Sequence, residues 1–182
     1  VALFNAGMSN LLNKWMLSKT VLTKNVQAPA GPFVAAVSNP AVSVAKGGTV
    51  TWANIIALET AVQKKHLPVT ASSAFICSTS MLAELRTTLK SSNVAGYIAE
   101  SVGKGTYEID GYPVFVSEDV DDNTIEFGVF EYDLLGQFGT VRMIIDPYTD
   151  AGKNLTRFVF NTRWDNVVLR QEAFAALVRA TV

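Results

Sequence analysis

Residues 125–177, IEFGVFEYDLLGQFGTVRMIIDPYTDAGKNLTRFVFNTRWDNVVLRQEAFAAL, decide the fold class. Val141, Met143 and Ile145 alternate with Arg142 and Ile144, and this two-residue period predicts a strand. Asp146-Pro147-Tyr148 stops it, because proline brings no N–H to a sheet ladder and Asp favours turns. A second extended segment is predicted from Leu155 to Arg170, so the stretch reads as two long strands around a polar turn. Phe158 and Phe160 share one face of the second strand and imply a packed side.

Outward from this stretch, the apolar period lengthens from two to between three and four residues. Ile55, Leu58 and Val62 recur at helical spacing with Thr51 as the N-cap, which predicts a helix to Lys64. Leu82, Leu85 and Leu89 repeat that spacing behind Ser80 and predict a helix from Met81 to Lys90. Phe4, Met8, Leu11, Leu12 and Trp15 fall on one face of an amphipathic helix from Leu3 to Leu17. Phe33 to Val37 is expected as a short strand between the turns around Pro29, Pro32 and Pro40. Ser91 to Asp110, polar and carrying Gly96, Gly103 and Gly105, is expected as a long loop, and Asp119 to Asn123 as a turn. These elements predict an α+β fold.

Composition narrows the function. The 182 residues are 49% hydrophobic and 17% charged, enough apolar material for a real core in one or two domains and too little charge for disorder. A net charge of −1 argues against a protein that holds nucleic acid by neutralising phosphates. A single cysteine, Cys77, excludes an internal disulfide and a multi-cysteine metal cage, and fits a reducing compartment. No apolar run approaches the roughly 18 residues of a membrane span. The chain opens with Val1 and shows no charged leader, which suggests a processed or truncated product.

Catalytic chemistry finds little to work with. His66, the only histidine, follows Lys64-Lys65 at an expected helix end, where its ring suits the negative pole of the helix. Cys77 follows Phe75-Ile76 in an apolar strand and is expected as a buried hydrophobe rather than a nucleophile. A small hydrolase pairing Cys77 with His66 has no local sequence signature. Gly103-Lys104-Gly105-Thr106 lacks the spacing of a phosphate loop, since Ile98 stands where the first glycine belongs and Gly105 follows the lysine. Glu118, Asp119, Asp121 and Asp122 lack the donor alternation and closing glutamate of a calcium loop. No catalytic residue, cofactor or metal is therefore expected.

The order of the pieces resembles the tailed-bacteriophage major capsid protein family of the Hong Kong 97 type. FGVFEYDLLG, the alternating strand, DPYTDAGKN, the strand bearing Arg157, Arg163 and Arg170, and LRQEAFAAL follow one another as in the C-terminal half of that family. Upstream, Gly48–Trp52 leading into Ala53–Lys64 looks like its first axial helix, and Ala74–Cys77 with Met81–Lys90 like its strand-then-helix unit. Glu108–Ser117 looks like the strand that follows the variable axial loop. The resemblance covers about Gly47 to Leu177.

It implies a Hong Kong 97-type fold with an axial domain over residues 31–146 and a peripheral domain from residues 1–30 and 147–182. The implied function is structural: pentamers and hexamers of a virion shell closing around double-stranded DNA, assembled in the host cytoplasm. Implied partners are other copies of the chain and scaffold, portal and head-completion proteins, with no membrane. An encapsulin-type nanocompartment shares the fold and stays open as an alternative. Candidate interface residues are Ser101, Lys104 and Thr106 in the loop expected at a capsomer axis, and Arg157, Arg163 and Arg170 on the long strand. Those arginines either keep an exposed edge soluble or pair with a neighbour's carboxylates.

The family's N-terminal arm and extended two-stranded loop have no counterpart in these residues. On that reading the chain alone is expected to give monomers or small rings, not closed shells. The isopeptide cross-link of some members does not carry over either. Asn154 falls at the asparagine position, but Asn161 stands where a glutamate would accept the proton.

Overall fold

The computed structural model describes residues 2–17, 31–34, 41–120 and 124–180. A first helix, Ala2–Leu17 (α1), is followed by a helical turn at Phe33 and Val34, a short strand Val42–Val44 (β1) and helix Trp52–Gln63 (α2). Strand Ser73–Cys77 (β2) leads into helix Thr79–Leu85 (α3), then Leu89–Ser91 (β3), Val94–Tyr97 (β4), Glu100–Gly103 (β5), Thr106–Ile109 (β6) and Tyr112–Val116 (β7). Thr124–Val129 (β8), Asp133–Gln137 (β9), Arg142–Asp146 (β10), Arg157–Asn161 (β11), Trp164–Val168 (β12) and Phe174–Arg179 (β13) complete the chain.

Seven strands form one mixed sheet in the order β1-β13-β8-β2-β7-β6-β5. β1 with β13 and β2 with β7 are parallel, and the remaining neighbours are antiparallel. Every residue of β2 and β8 is buried, as expected of central strands covered on both faces. The last strand is inserted between β1 and β8, so the sheet is complete only when residues 42 and 179 are both in place. Outside it β3 pairs with β4, and two further pairs, β9 with β12 and β10 with β11, form separate two-stranded ribbons.

Helix α2 lies on β13, β8 and β1 and buries Ile55, Leu58 and Val62, the residues whose spacing predicts it. Thr51 caps it as expected, and Asn54 Oδ1 accepts from the Thr51 N–H at 3.0 Å and its hydroxyl at 2.7 Å. Ser78, not Ser80, caps α3 by accepting from the Met81 N–H at 3.4 Å. Glu84 of α3 then takes the Arg179 guanidinium on both carboxylate oxygens, at 2.6 and 2.7 Å, and the Val50 N–H at 3.1 Å. This partly buried pair fastens β13 to α3.

The structure corrects several expectations. Residues 91–110 are not a loop: they hold β4, β5 and β6, with β5 and β6 turning at Lys104-Gly105 and β6 and β7 at Asp110-Gly111. Asp110 and Gly111 both have positive φ, 53° and 80°, the conformation a two-residue hairpin needs. The extended segment 155–170 is two strands, because Thr162 and Arg163 break the ladder and β11 and β12 pair with different partners. The helix at 81 ends at Leu85, and Leu89 is an exposed strand residue. Phe33 and Val34 are helical rather than extended, and Phe33 packs edge-on against Phe174 and Phe130. The Phe4 and Trp15 side chains, residues 35–37 and the turn at 121–123 lie outside the described residues.

Candidate subunit interface

The strand with two-residue alternation ends up outside the core. β10 and β11 pair over their whole length, with Met143 opposite Phe160 and Ile145 opposite Phe158 on one face, and Ile144 opposite Val159 on the other. Both faces are wet: on the first Met143 is 53% exposed, Ile145 55% and Phe158 56%, and on the other Ile144 is 40% exposed. At the tip Tyr148 is 86% and Leu155 59% exposed, and β9 adds exposed Leu134 and Leu135. An isolated two-stranded ribbon is marginal in water, and apolar residues exposed on both of its faces make it the candidate interaction surface.

The tip itself is well built. Asp146 accepts from the Tyr148 and Thr149 N–H groups at 2.9 and 3.1 Å and from the Thr149 hydroxyl. These bonds hold its carboxyl below the usual range. Asp150 Oδ2 receives Arg157 Nη2 at 2.8 Å and Nε at 3.2 Å. Asn154 adopts the left-handed conformation at φ 55° where the chain turns into β11.

The three arginines do not form one patch. Arg157 is engaged with Asp150 of its own chain. Arg163 is exposed in the link between β11 and β12, where its carbonyl accepts from the Phe138 N–H at 2.9 Å. Arg170 is exposed before a short 3-10 turn leading into β13. Ser101, Lys104 and Thr106 do come together, all exposed on the β5–β6 hairpin at the far edge of the main sheet. The base of that hairpin is braced by Lys90, whose ammonium meets Glu100 at 2.7 Å and lies 4.8 Å from the Trp52 ring.

Sequence reasoning missed the exposed apolar residues. Their signal was present as the run Met143-Ile144-Ile145, which puts apolar side chains on both faces of a strand. Such a strand is either central in a sheet or covered by something else.

Cys77 and His66 stand in opposite environments, one buried and one exposed. Cys77 is fully buried, and burial with the nearby Glu126 carboxylate pushes its thiol up to about 12. His66 is exposed, in the left-handed conformation at φ 60° just past α2. Glu118 accepts from the Thr79 hydroxyl, and Asp119 sits within 3.5 Å of the Ser117 hydroxyl. Asp121 and Asp122 lie outside the described residues. Among the described residues no three His, Cys, Asp or Glu side chains converge as metal ligands. Asn154 caps the 3-10 turn that precedes β11, and Asn161 ends β11 opposite Arg142.

The model of the phage capsid family matches residues 21–178. The fold is similar to the capsid of a native GTA particle, with a TM-score of 0.66 and 18% identity over 99% of this chain and 65% of that one. The similarity to a structure from Microbacterium phage Oxtober96 reaches a TM-score of 0.73 at 14% identity, over 98% of this chain and 64% of that one. A holo-SrpI encapsulin complex from Synechococcus elongatus gives 0.63 at 17% identity, over 97% and 63%. The chain thus spans less than two thirds of the length of these structures. No curated protein matches the sequence.

Proposed function

Because this chain belongs to the phage capsid family, we propose that it is a shell subunit of Hong Kong 97-type fold whose copies associate into pentamers and hexamers of an icosahedral head. The observation that carries this reading is the β10–β11 ribbon, apolar and exposed on both faces in a chain that otherwise buries a full core. A surface of that kind is stabilised when a neighbour covers it. The head encloses double-stranded DNA without reading its sequence, in keeping with a net charge of −1. Scaffold, portal and head-completion proteins are its further partners, the virion is its destination, and assembly takes place in the host cytoplasm.

Strand pairing supports a division into two domains that differs from a cut at residue 146. The axial domain comprises the seven-stranded sheet with α2, α3 and the β3–β4 pair, and so includes β13. The peripheral domain comprises α1 and the two ribbons. Ser101, Lys104 and Thr106 line the capsomer axis, and Arg163 and Arg170 meet a neighbour in the periphery. Arg157 has its partner within the chain and acts there by holding the ribbon tip.

The test is assembly in the virion-length subunit. Replacing Met143 and Phe158 together by Asp leaves the core untouched, so the monomer's far-ultraviolet circular dichroism should be unchanged while negative-stain microscopy finds no capsomers. Normal capsomers from that variant overturn the ribbon's role. The encapsulin reading rests on the shared fold. Neighbouring genes for terminase and portal support the head, and a cargo enzyme supports the nanocompartment.

A further inference from the structure

A cleft of about 450 Å3 lies where the two ribbons join, lined by Phe138, Thr140, Arg142, Asn161, Thr162 and Arg163. Phe138 and Thr140 belong to the link from β9 to β10, and Thr162 and Arg163 to the link from β11 to β12. Arg142 begins β10 directly opposite Asn161, the last residue of β11, so the two share one face of that ribbon. The Phe138 N–H donates to the Arg163 carbonyl at 2.9 Å and ties one link to the other. Backbone pairing thus preforms the frame of the cleft, and little order is lost when a ligand enters it.

The lining is donor chemistry. A guanidinium only donates, and the Asn161 amide and the threonine hydroxyls can donate as well. Among the described residues the lining holds no Asp or Glu. Two other arginines of this chain are paired internally, Arg157 with Asp150 and Arg179 with Glu84. Arg142 and Arg163 are both exposed, and among the described residues neither has a carboxylate partner. Two cations that line one cleft repel each other, and an anion held between them turns that repulsion into attraction. Guanidinium N–H pairs match the spacing of carboxylate and phosphate oxygens.

We propose that this cleft is an oxyanion site, with Arg142 and Arg163 as its cations and Asn161 as a further donor. Its ligand is a small group of charged oxygens, either a dissolved anion or a carboxylate presented by a second copy of this chain. With a dissolved anion the inference stands apart from the shell reading. With a neighbour's carboxylate it rests on that reading and adds Arg142 to the contact given to Arg163 above.

Inorganic phosphate is the probe, titrated calorimetrically into the 182-residue chain at constant ionic strength. Binding should saturate, and Arg142→Gln with Arg163→Gln should weaken it by roughly tenfold or more. Lys46→Gln with Lys65→Gln removes equal charge from exposed positions elsewhere and should keep the affinity within about twofold. Arg142→Lys with Arg163→Lys keeps the charge without the fork and should also weaken binding, which separates recognition from attraction. Uptake that never saturates, that survives in the arginine variants, or that the lysine control loses equally overturns the site. Sedimentation velocity identifies the source of the anion. Self-association weakened both by phosphate and by the glutamine variant means a neighbour's carboxylate, and sedimentation indifferent to both means a dissolved anion. Capsomer microscopy on the virion-length subunit judges the shell reading separately, so either can fail without the other.

Discussion

Gly128 on β8 lies opposite Phe174 on β13, and a Cβ built there would stand 2.3 Å from the Phe174 ring. The glycine therefore lets the ring lie across the strand and reach Phe33 and Phe130. Gly128→Ala should cost about 1–3 kcal/mol in urea unfolding, as overpacking does. Cys77 offers a second residue-level check. Its folded pKa of about 12 lies above its unfolded value of about 9, so the folded state keeps a proton that the unfolded state loses between those limits. The contribution is fully present below about pH 9 and declines by about 1.4 kcal/mol per pH unit above it. Cys77→Ala should flatten the alkaline limb of a stability-against-pH curve. A thiol reagent should label native Cys77 only on unfolding, and rapid labelling at neutral pH would reopen the hydrolase reading.

At the scale of elements, the β5–β6 hairpin separates folding from assembly. Ser101 and Thr106 are exposed on an edge strand and its neighbour and contribute little burial. Ser101→Asp with Thr106→Asp should leave the monomer's melting temperature within about a degree. Around a five- or six-fold axis the added charges repeat, and repulsion accumulates that one subunit never meets. Capsomer yield from the full-length subunit should therefore fall, and undiminished capsomers would remove this hairpin from the axis. Helix α3 behaves oppositely. Glu84→Ala leaves the Arg179 guanidinium, 17% exposed, without its carboxylate and frees the Val50 N–H. We expect a loss of about 2–3 kcal/mol by chemical denaturation, below the range for a fully buried pair because water reaches both partners.

Across the whole molecule, the sheet is tied together by its last strand. β13 separates the edge strand β1 from β8, so deleting residues 174–182 detaches β1 and uncovers the fully buried β8. That truncation should abolish the cooperative unfolding transition, whereas a shortened β5–β6 turn should preserve it. Pairing between segments as distant as Val42 and Leu177 also predicts slow folding, because loop closure precedes any reward from contact. Stopped-flow refolding in milliseconds or slower would agree with this topology.

The sequence by itself determined the α+β class, the amphipathic stripe of α2 with its Thr51 cap, and the order of pieces that resembles phage capsid proteins. These are local properties: a period of two or of about three and a half is written into neighbouring residues. Lys104-Gly105 and Asp110-Gly111 turn two hairpins that were expected as one loop, because the density of glycine and polar residues from 91 to 110 masks the short strands between them. Only the tertiary structure decided that β13 sits between β1 and β8, that 155–170 divides between two ribbons, and that Met143, Ile145 and Phe158 face solvent. Alternation says that a strand has faces and cannot say what covers them. Burial is a relation between distant segments, and in this chain the apolar residues of the β10–β11 ribbon stay open to solvent.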